Sequence, residues 1–211
     1  MRVFVFGGGE DIGEHVLKQL AHKGHEPVTV AETKNRAEGL KKMGAADVMI
    51  TRDYNFVEAI KGSEAIIYLA EASVTSGENK NILVDHKAII KTVEEAQQLG
   101  INRIVYLSAV LADESDESKS TGAKHEPEEL IRRDGIVHTI IRTTHAEAKP
   151  GKGMVKAVRE VGVNAGKKAG DLAFEDIAAV LVEALENENV FSKTFEITAG
   201  NTPIREALQA L

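Results

Sequence analysis

Three consecutive glycines, Gly7-Gly8-Gly9, and a fourth at Gly13 are the first residues of this chain whose spacing could do chemistry. They follow the apolar run Val3-Phe4-Val5-Phe6 and precede Ile12, Val16, Leu17, Leu20 and Ala21, which recur at helical spacing. A strand, a glycine-rich turn and a helix, in that order, place backbone N–H groups and the positive end of a helix dipole where a phosphate can lie. Gly7, Gly8, Gly9, Asp11, Ile12 and Gly13 are therefore candidate cofactor-binding positions. Glu32 stands about 20 residues beyond this loop, where a carboxylate suits the hydroxyls of a ribose. The same residues also suit a bare strand-to-helix turn and a solvated glutamate, so both readings stand at this level. His145 closes the run Arg142-Thr143-Thr144-His145 and is a candidate general base. No metal-ligand spacing joins it to the other six histidines. With no Cys in the chain, thiol catalysis, disulfides and cysteine-ligated metal are excluded.

These residues need a frame, and the hydrophobic pattern supplies one. Short apolar runs at Val28–Ala31, Val48–Ile50, Ala65–Leu69, Arg103–Leu107 and Val137–Ile141 read as strands. Helical stretches fall between them at Arg36–Met43, Phe56–Ile60, Ile82–Leu99 and Glu128–Arg133. A helix over Phe174–Leu185, a strand over Thr194–Thr198 and a helix over Ile204–Leu211 complete the chain. Alternating strands and helices predict an α/β fold, a doubly wound parallel sheet of the Rossmann type in three layers. Residues 1–211 read as a single domain. The glycine-bearing segment Thr143–Asp171 has only short apolar stretches and is expected to form a small irregular flap on the substrate side. Leu111–Gly122 reads as an exposed charged loop. His22, His25, His125 and His138 sit in charged or strand-edge contexts and are expected in solvent. In such a sheet ligands bind beyond the carboxyl ends of the strands. The chemistry is thus expected at Gly7–Gly13, Glu32–Arg36, Thr51–Asp53, Ala70–Ser73, Ser108–Val110 and Arg142–His145.

Composition narrows the partners. The 211 residues are 43% apolar and 28% charged, an ordinary globular balance. Asp and Glu number 33 against 26 Lys and Arg, a net charge of −7. That sign disfavours nucleic-acid phosphate and anionic membrane as partners, leaving a small-molecule substrate and a homo-oligomer as the expected ones. No run of 18 apolar residues and no signal-peptide pattern occurs, so a cytoplasmic protein is expected.

The opening MRVFVFGGGEDIG, the segment GINRIVYLSAV, the run IIRTT and the closing FEITAGNTPIREAL resemble the atypical short-chain dehydrogenase/reductase group, the NAD(P)H-binding, NmrA-like proteins. The resemblance spans nearly the whole chain. It implies a nicotinamide cofactor, NAD or NADP, and an oxidoreductase or epimerase activity. Glu32, where NADP-using relatives commonly carry Arg, favours NAD. Asp53 and Ala70 fall where relatives approach the cofactor. The group's reductases use Ser, Tyr and Lys, the last two as Tyr-x-x-x-Lys. Lys124 matches the lysine, Ser120 stands in place of the tyrosine, and Ser108-Ala109 replaces a serine pair. Lys124, Ser108 and His145 are the candidate catalytic residues. Glu10 takes the place of the middle glycine of the loop, and Glu71 adds another carboxylate near the expected ligand. These departures imply weakened catalysis. The alternative is a non-catalytic relative, a nucleotide sensor or interaction protein. A pocket for a cationic or neutral ligand built on Glu10, Glu32 and Glu71 is a third reading.

Overall fold

A computed structural model describes residues 1–9, 11–51, 57–69, 82–108, 121–133, 135–143, 146–159 and 172–211, with the backbone alone described at 57, 82–87 and 121–126. Six strands and the helices between them form the first half of the fold: β1 (Arg2–Phe6), α1 (Asp11–His22), β2 (Glu26–Ala31), α2 (Lys34–Lys42), β3 (Asp47–Ile50), α3 (Val57–Ile60), β4 (Ala65–Leu69), α4 (Ile82–Gln98), β5 (Arg103–Ser108), α5 (Thr121–Arg133) and β6 (Val137–Thr143). The rest comprises β7 (Ala146–Glu147), β8 (Met154–Val158), β9 (Leu172–Ala173), α6 (Phe174–Ala184), β10 (Lys193–Ala199), β11 (Thr202–Pro203) and α7 (Ile204–Gln209).

The main sheet runs β11-β8-β10-β6-β5-β4-β1-β2-β3. Its β3-β2-β1-β4-β5-β6 portion is parallel throughout, the doubly wound order, with the reversal between β1 and β4. Every residue of β4 and β5 is buried, which is why both read as continuous apolar runs rather than alternating ones. Successive side chains still point to opposite faces. Val3, Val5, Ile67, Leu69, Val105 and Leu107 pack with Val16, Leu17 and Leu20 of α1 and Ile177 and Leu181 of α6. Phe4, Ile66, Tyr68, Ile104 and Tyr106 pack on the other face with Ile89 and Val93 of α4 and Ile131 of α5. Phe6 stacks on Tyr68 with ring centroids 4.3 Å apart. The three layers are those expected from the alternation.

Two expectations need correction. The segment 143–171 is not irregular throughout. Met154–Val158 is a strand of the main sheet, antiparallel to both β10 and β11. It alternates, with Val155 buried while Met154 and Lys156 face solvent. Acidic residues at the start of α6 hold its approach. Asp176 accepts from the N–H groups of Lys152 at 2.9 Å and Gly153 at 2.7 Å, and Glu175 from that of Gly151 at 2.9 Å. Gly200 lets the β10–β11 turn pass close, since a Cβ there would lie 2.3 Å from the Lys156 nitrogen. His138, expected in solvent, is buried at the start of β6. Its Nδ1 donates to the Ile136 carbonyl at 3.1 Å, and burial pushes its pKa below the ordinary value.

Candidate functional site

The glycine loop is built for close approach. Gly7 has φ of +79°, a conformation L side chains rarely adopt, and it turns the chain out of β1. A Cβ on Gly13 would lie 2.0 Å from the Gly7 carbonyl oxygen, so only glycine lets α1 pack this tightly on the strand. A Cβ on Gly8 would lie 2.6 Å from Thr29 Oγ1, which donates to the Val5 carbonyl at 2.8 Å. The loop therefore does two of the three jobs that glycines do in dinucleotide sites: the tight turn and the close helix–strand contact. The position of the third, Glu10, lies outside the described residues. α1 begins at Asp11 with its N-terminus toward this loop, and Asp11 and Glu14 occupy its first turn.

The neighbouring crest carries charge. Glu32 is exposed just past β2. Thr33 caps α2 by accepting from the Arg36 N–H at 3.2 Å. That cap turns Arg36 back over the loop, where its Nη2 donates to the Gly9 carbonyl and to Glu14 Oε1, the latter at 2.9 Å. The Arg36 charge is thus already partnered.

A second group of polar side chains lies at the carboxyl ends of β5 and β6. Ser108, the last residue of β5, pairs with Arg142 on β6, and Arg142 pairs with Glu196 on β10. The three share the face that α5 covers. From α5, Glu128 reaches this row and is only 1% exposed. Its carboxylate accepts from Arg142 Nε at 2.9 Å and Nη2 at 2.5 Å, and from Arg132 Nη2 at 2.8 Å. Burial alone pushes the Glu128 pKa up; the hydrogen bonds from Arg142 and Ser108 and the charges of Arg142 and Arg132 outweigh it, so the carboxyl stays below its ordinary value. The hydrogen bond to Glu128 raises Arg142 in turn. Glu196 is pushed up by burial, which Arg142 offsets only in part. The next residue of β6, Thr143, is 3% exposed, and its hydroxyl has no hydrogen-bond partner among the described residues.

Ser108 is the candidate catalytic residue that the structure describes in full. Lys124 lies in α5 one turn before Glu128, with only its backbone described. His145, Asp53 and Ala70, together with Glu10, Glu71, Ala109 and Ser120, lie outside the described residues. Sequence reasoning missed Glu128, although its signal was present. It sits three residues before Ile131, on the apolar stripe of α5, where an unpaired carboxylate would be costly. Among the described residues no cluster of His, Cys, Asp or Glu could hold a metal, and no helix is long and apolar enough to cross a membrane.

A doubly wound sheet with a glycine turn at its reversal point and polar groups at its carboxyl ends defines a Rossmann-type nucleotide-binding protein. The chain belongs to the NAD(P)H-binding family, whose pattern matches residues 7–188. This bears out the resemblance to the atypical short-chain dehydrogenase/reductase group. The chain is 28% identical over 220 residues to the uncharacterized sugar epimerase YhfK of Bacillus subtilis, covering all of both chains. A solved structure from Bacillus halodurans, provisionally described as an NAD-dependent epimerase/dehydratase, superposes with a TM-score of 0.87 at 27% identity over the whole of both chains. The oxidoreductase ylbE of Lactococcus lactis shares the fold, with a TM-score of 0.76 at 18% identity, covering all of this chain and 96% of that one.

The residues present fit a nicotinamide dinucleotide. The left-handed turn at Gly7 and the close packing at Gly13 bring the start of α1 up to the end of β1, and the buried Thr143 hydroxyl, without a partner among the described residues, lies at the end of β6; both are strand ends where such a cofactor binds.

Proposed function

We propose that this chain binds NAD(H) across the carboxyl ends of β1, β2, β5 and β6 and acts as an oxidoreductase or epimerase on a small hydroxylated substrate. The observation that carries the reading is the Gly7–Gly13 turn, whose glycines bring the N-terminus of helix α1 up to the end of β1. Family membership and the sugar-epimerase name of the Bacillus subtilis relative support it. Preference for NAD over NADP rests on Glu32, exposed where it can accept from ribose hydroxyls. Arg36 does not counter it, because its guanidinium already serves Glu14 and the Gly9 carbonyl. A bound nicotinamide supplies hydride transfer. The chain supplies the anion cradle, the ribose contact and the polar row at Ser108, with Lys124 and His145 as candidates for holding or moving a proton.

Titration with NADH and NADPH, followed by fluorescence and by melting temperature, tests this. Saturable binding with NADH tighter than NADPH is expected, and Glu32→Arg reverses the order. No response to either at millimolar concentration would overturn the reading.

A second reading is favoured by one sequence feature. Ser120 stands where relatives carry the acid/base tyrosine, and a serine hydroxyl has no phenol-like acidity. On this reading the chain binds the cofactor without turnover and works as a nucleotide sensor. Reduction of a reactive dicarbonyl such as phenanthrenequinone by NADH separates the two. Turnover supports the enzyme, and binding without turnover supports the sensor.

A further inference from the structure

The adenosine corner of the proposed cofactor site holds a cation that is already engaged. Arg36 stands in the first turn of α2, just after the exposed Glu32. Its N–H donates to the Thr33 cap at 3.2 Å, and its guanidinium reaches back across the glycine loop. A Cβ on Gly9 would lie 3.5 Å from Arg36 Nε, an ordinary contact, so the guanidinium rests against the loop itself. Nη2 donates to the Gly9 carbonyl and, at 2.9 Å, to Oε1 of Glu14 in the first turn of α1. The pair thus bridges α1 and α2 over the loop. The Arg36 side chain is 42% exposed and that of Glu14 26%, so a ligand in solution can reach both.

An arginine near the end of β2 accommodates the 2′-phosphate of NADP, and a carboxylate there serves the free 2′-hydroxyl of NAD. This chain carries both groups, Arg36 and Glu32. Cofactor choice then depends on whether the arginine is available. Glu14 takes the Arg36 donor that a phosphate would use, and its own charge opposes any phosphate that approaches the guanidinium. We propose that Glu14 is a specificity-determining residue: it ties Arg36 to α1 and so excludes a 2′-phosphorylated dinucleotide from the corner between Gly9 and Glu32. The inference rests on the dinucleotide reading above and deepens it. Glu32 serves the hydroxyls that NAD has, whereas Glu14 rejects the phosphate that NADP adds. The two residues are therefore separable by substitution.

Calorimetric titration of NADH and NADPH into wild type, Glu14→Gln and the double variant Glu14→Gln/Arg36→Met tests this. Glu14→Gln keeps the side-chain size and removes the charge, and an exposed pair contributes little to folding. It should tighten NADPH about tenfold relative to NADH, the order expected when a like charge beside a phosphate is removed and a guanidinium is released. Adding Arg36→Met should abolish that gain. ADP-ribose and its 2′-phosphorylated form, which lack the nicotinamide, should show the same change in ratio. A gain shared equally by NADH and NADPH, or no gain, overturns the specificity role. A gain that survives Arg36→Met assigns the phosphate to another cation, such as the exposed Lys34, and overturns it as well. If Glu14→Gln does not fold, Glu14→Ala carries the same expectation, alanine being the better helix former. Wild type and variants that bind neither nucleotide refute the dinucleotide reading and this inference with it. Wild-type NADH binding with an unchanged NADPH-to-NADH ratio in the variants refutes this inference alone.

Discussion

Two arginines enter the interior from opposite ends of the same sheet, and they are satisfied in different ways. At the amino end, Arg103 opens β5 and is 8% exposed. It donates to the carbonyls of Ala184 at 2.5 Å, Ile104 at 3.0 Å, Val137 at 3.1 Å and Leu185 at 3.3 Å, and to Thr139 Oγ1 at 2.7 Å. Its guanidinium also lies over the Phe191 ring, 4.4 Å from the centroid. Among the described residues no carboxylate pairs with it, and burial pushes its pKa down to about 10. It closes the C-terminus of α6, where the helix leaves carbonyls without intrahelical donors and its dipole favours a cation. At the carboxyl end, Arg142 is bound to the buried Glu128 carboxylate, next in the sheet to a second, poorly solvated carboxylate at Glu196, and the Thr143 hydroxyl that follows it has no hydrogen-bond partner among the described residues. The amino end uses its cation to finish a helix, and there the buried Ser63 hydroxyl before β4 is the group without a hydrogen-bond partner among the described residues. The carboxyl end gathers buried carboxylates with shifted pKa values around its cation, as expected where a ligand completes the site.

The sharpest way to break this contrast is to remove the amino-end arginine. Arg103→Met strands several buried carbonyls and costs about 3–5 kcal/mol. At this chain length that lowers the melting temperature by roughly 6–20 °C. NADH affinity of the folded protein should be unchanged; a loss of affinity would erase the functional difference between the ends. Glu128→Gln follows, at about 2–4 kcal/mol, because Arg142 loses its paired anion while Arg132 keeps only the exposed Glu129. Its cost depends on pH. The folded carboxyl sits below its unfolded value of about 4.3, so its contribution is complete above that value and is lost as pH falls through the folded pKa. Thermal melts of wild type and variant should therefore converge in acid. Gly13→Ala sharpens the contrast from the loop side. The added methyl meets the Gly7 carbonyl and costs about 1–3 kcal/mol, while NADH affinity should drop at least about tenfold, a separation calorimetry reads directly. The smallest effect belongs to Glu196. Its pKa is raised in the fold, so the folded state loses stability as pH rises through the window between the unfolded and folded values. Glu196→Gln should raise the melting temperature by about 1–3 °C at pH 7 and by nothing near pH 3.

The parts of this molecule that were legible from sequence are those whose cause is local. Val3–Phe6, the glycines and the helical spacing from Ile12 lie within one stretch of chain, and each element there is specified by its own residues. The place of Glu32 just past β2 was legible because the distance from loop to strand end is a property of the β-α-β unit. The Glu128–Arg142 pair was not, because the partners lie 14 positions apart on different elements, and Glu128 stands among charges that read as a solvated face. β8 escaped for a different reason. As an antiparallel strand near the sheet edge it buries Val155 and leaves Met154 and Lys156 in solvent, so its five residues lack the apolar run of the central strands. His138 looked polar and peripheral in sequence. It is buried because the chain returns beside it, with the Ser192 N–H on its carbonyl at 2.6 Å.

Backbone amide chemical shifts recorded while NADH is added test the central claim most directly, because they report on both ends of the sheet at once. The expected result is a saturable set of shifts at Gly7, Gly8, Gly9, Asp11, Ile12, Gly13 and Ser108, with the amides around Arg103, Ala184 and Val190 unmoved. Shifts confined to the amino end, such as the roughly 390 Å³ cavity lined by Lys23, Glu183, Glu186 and Arg205, would contradict it, as would no shifts at all.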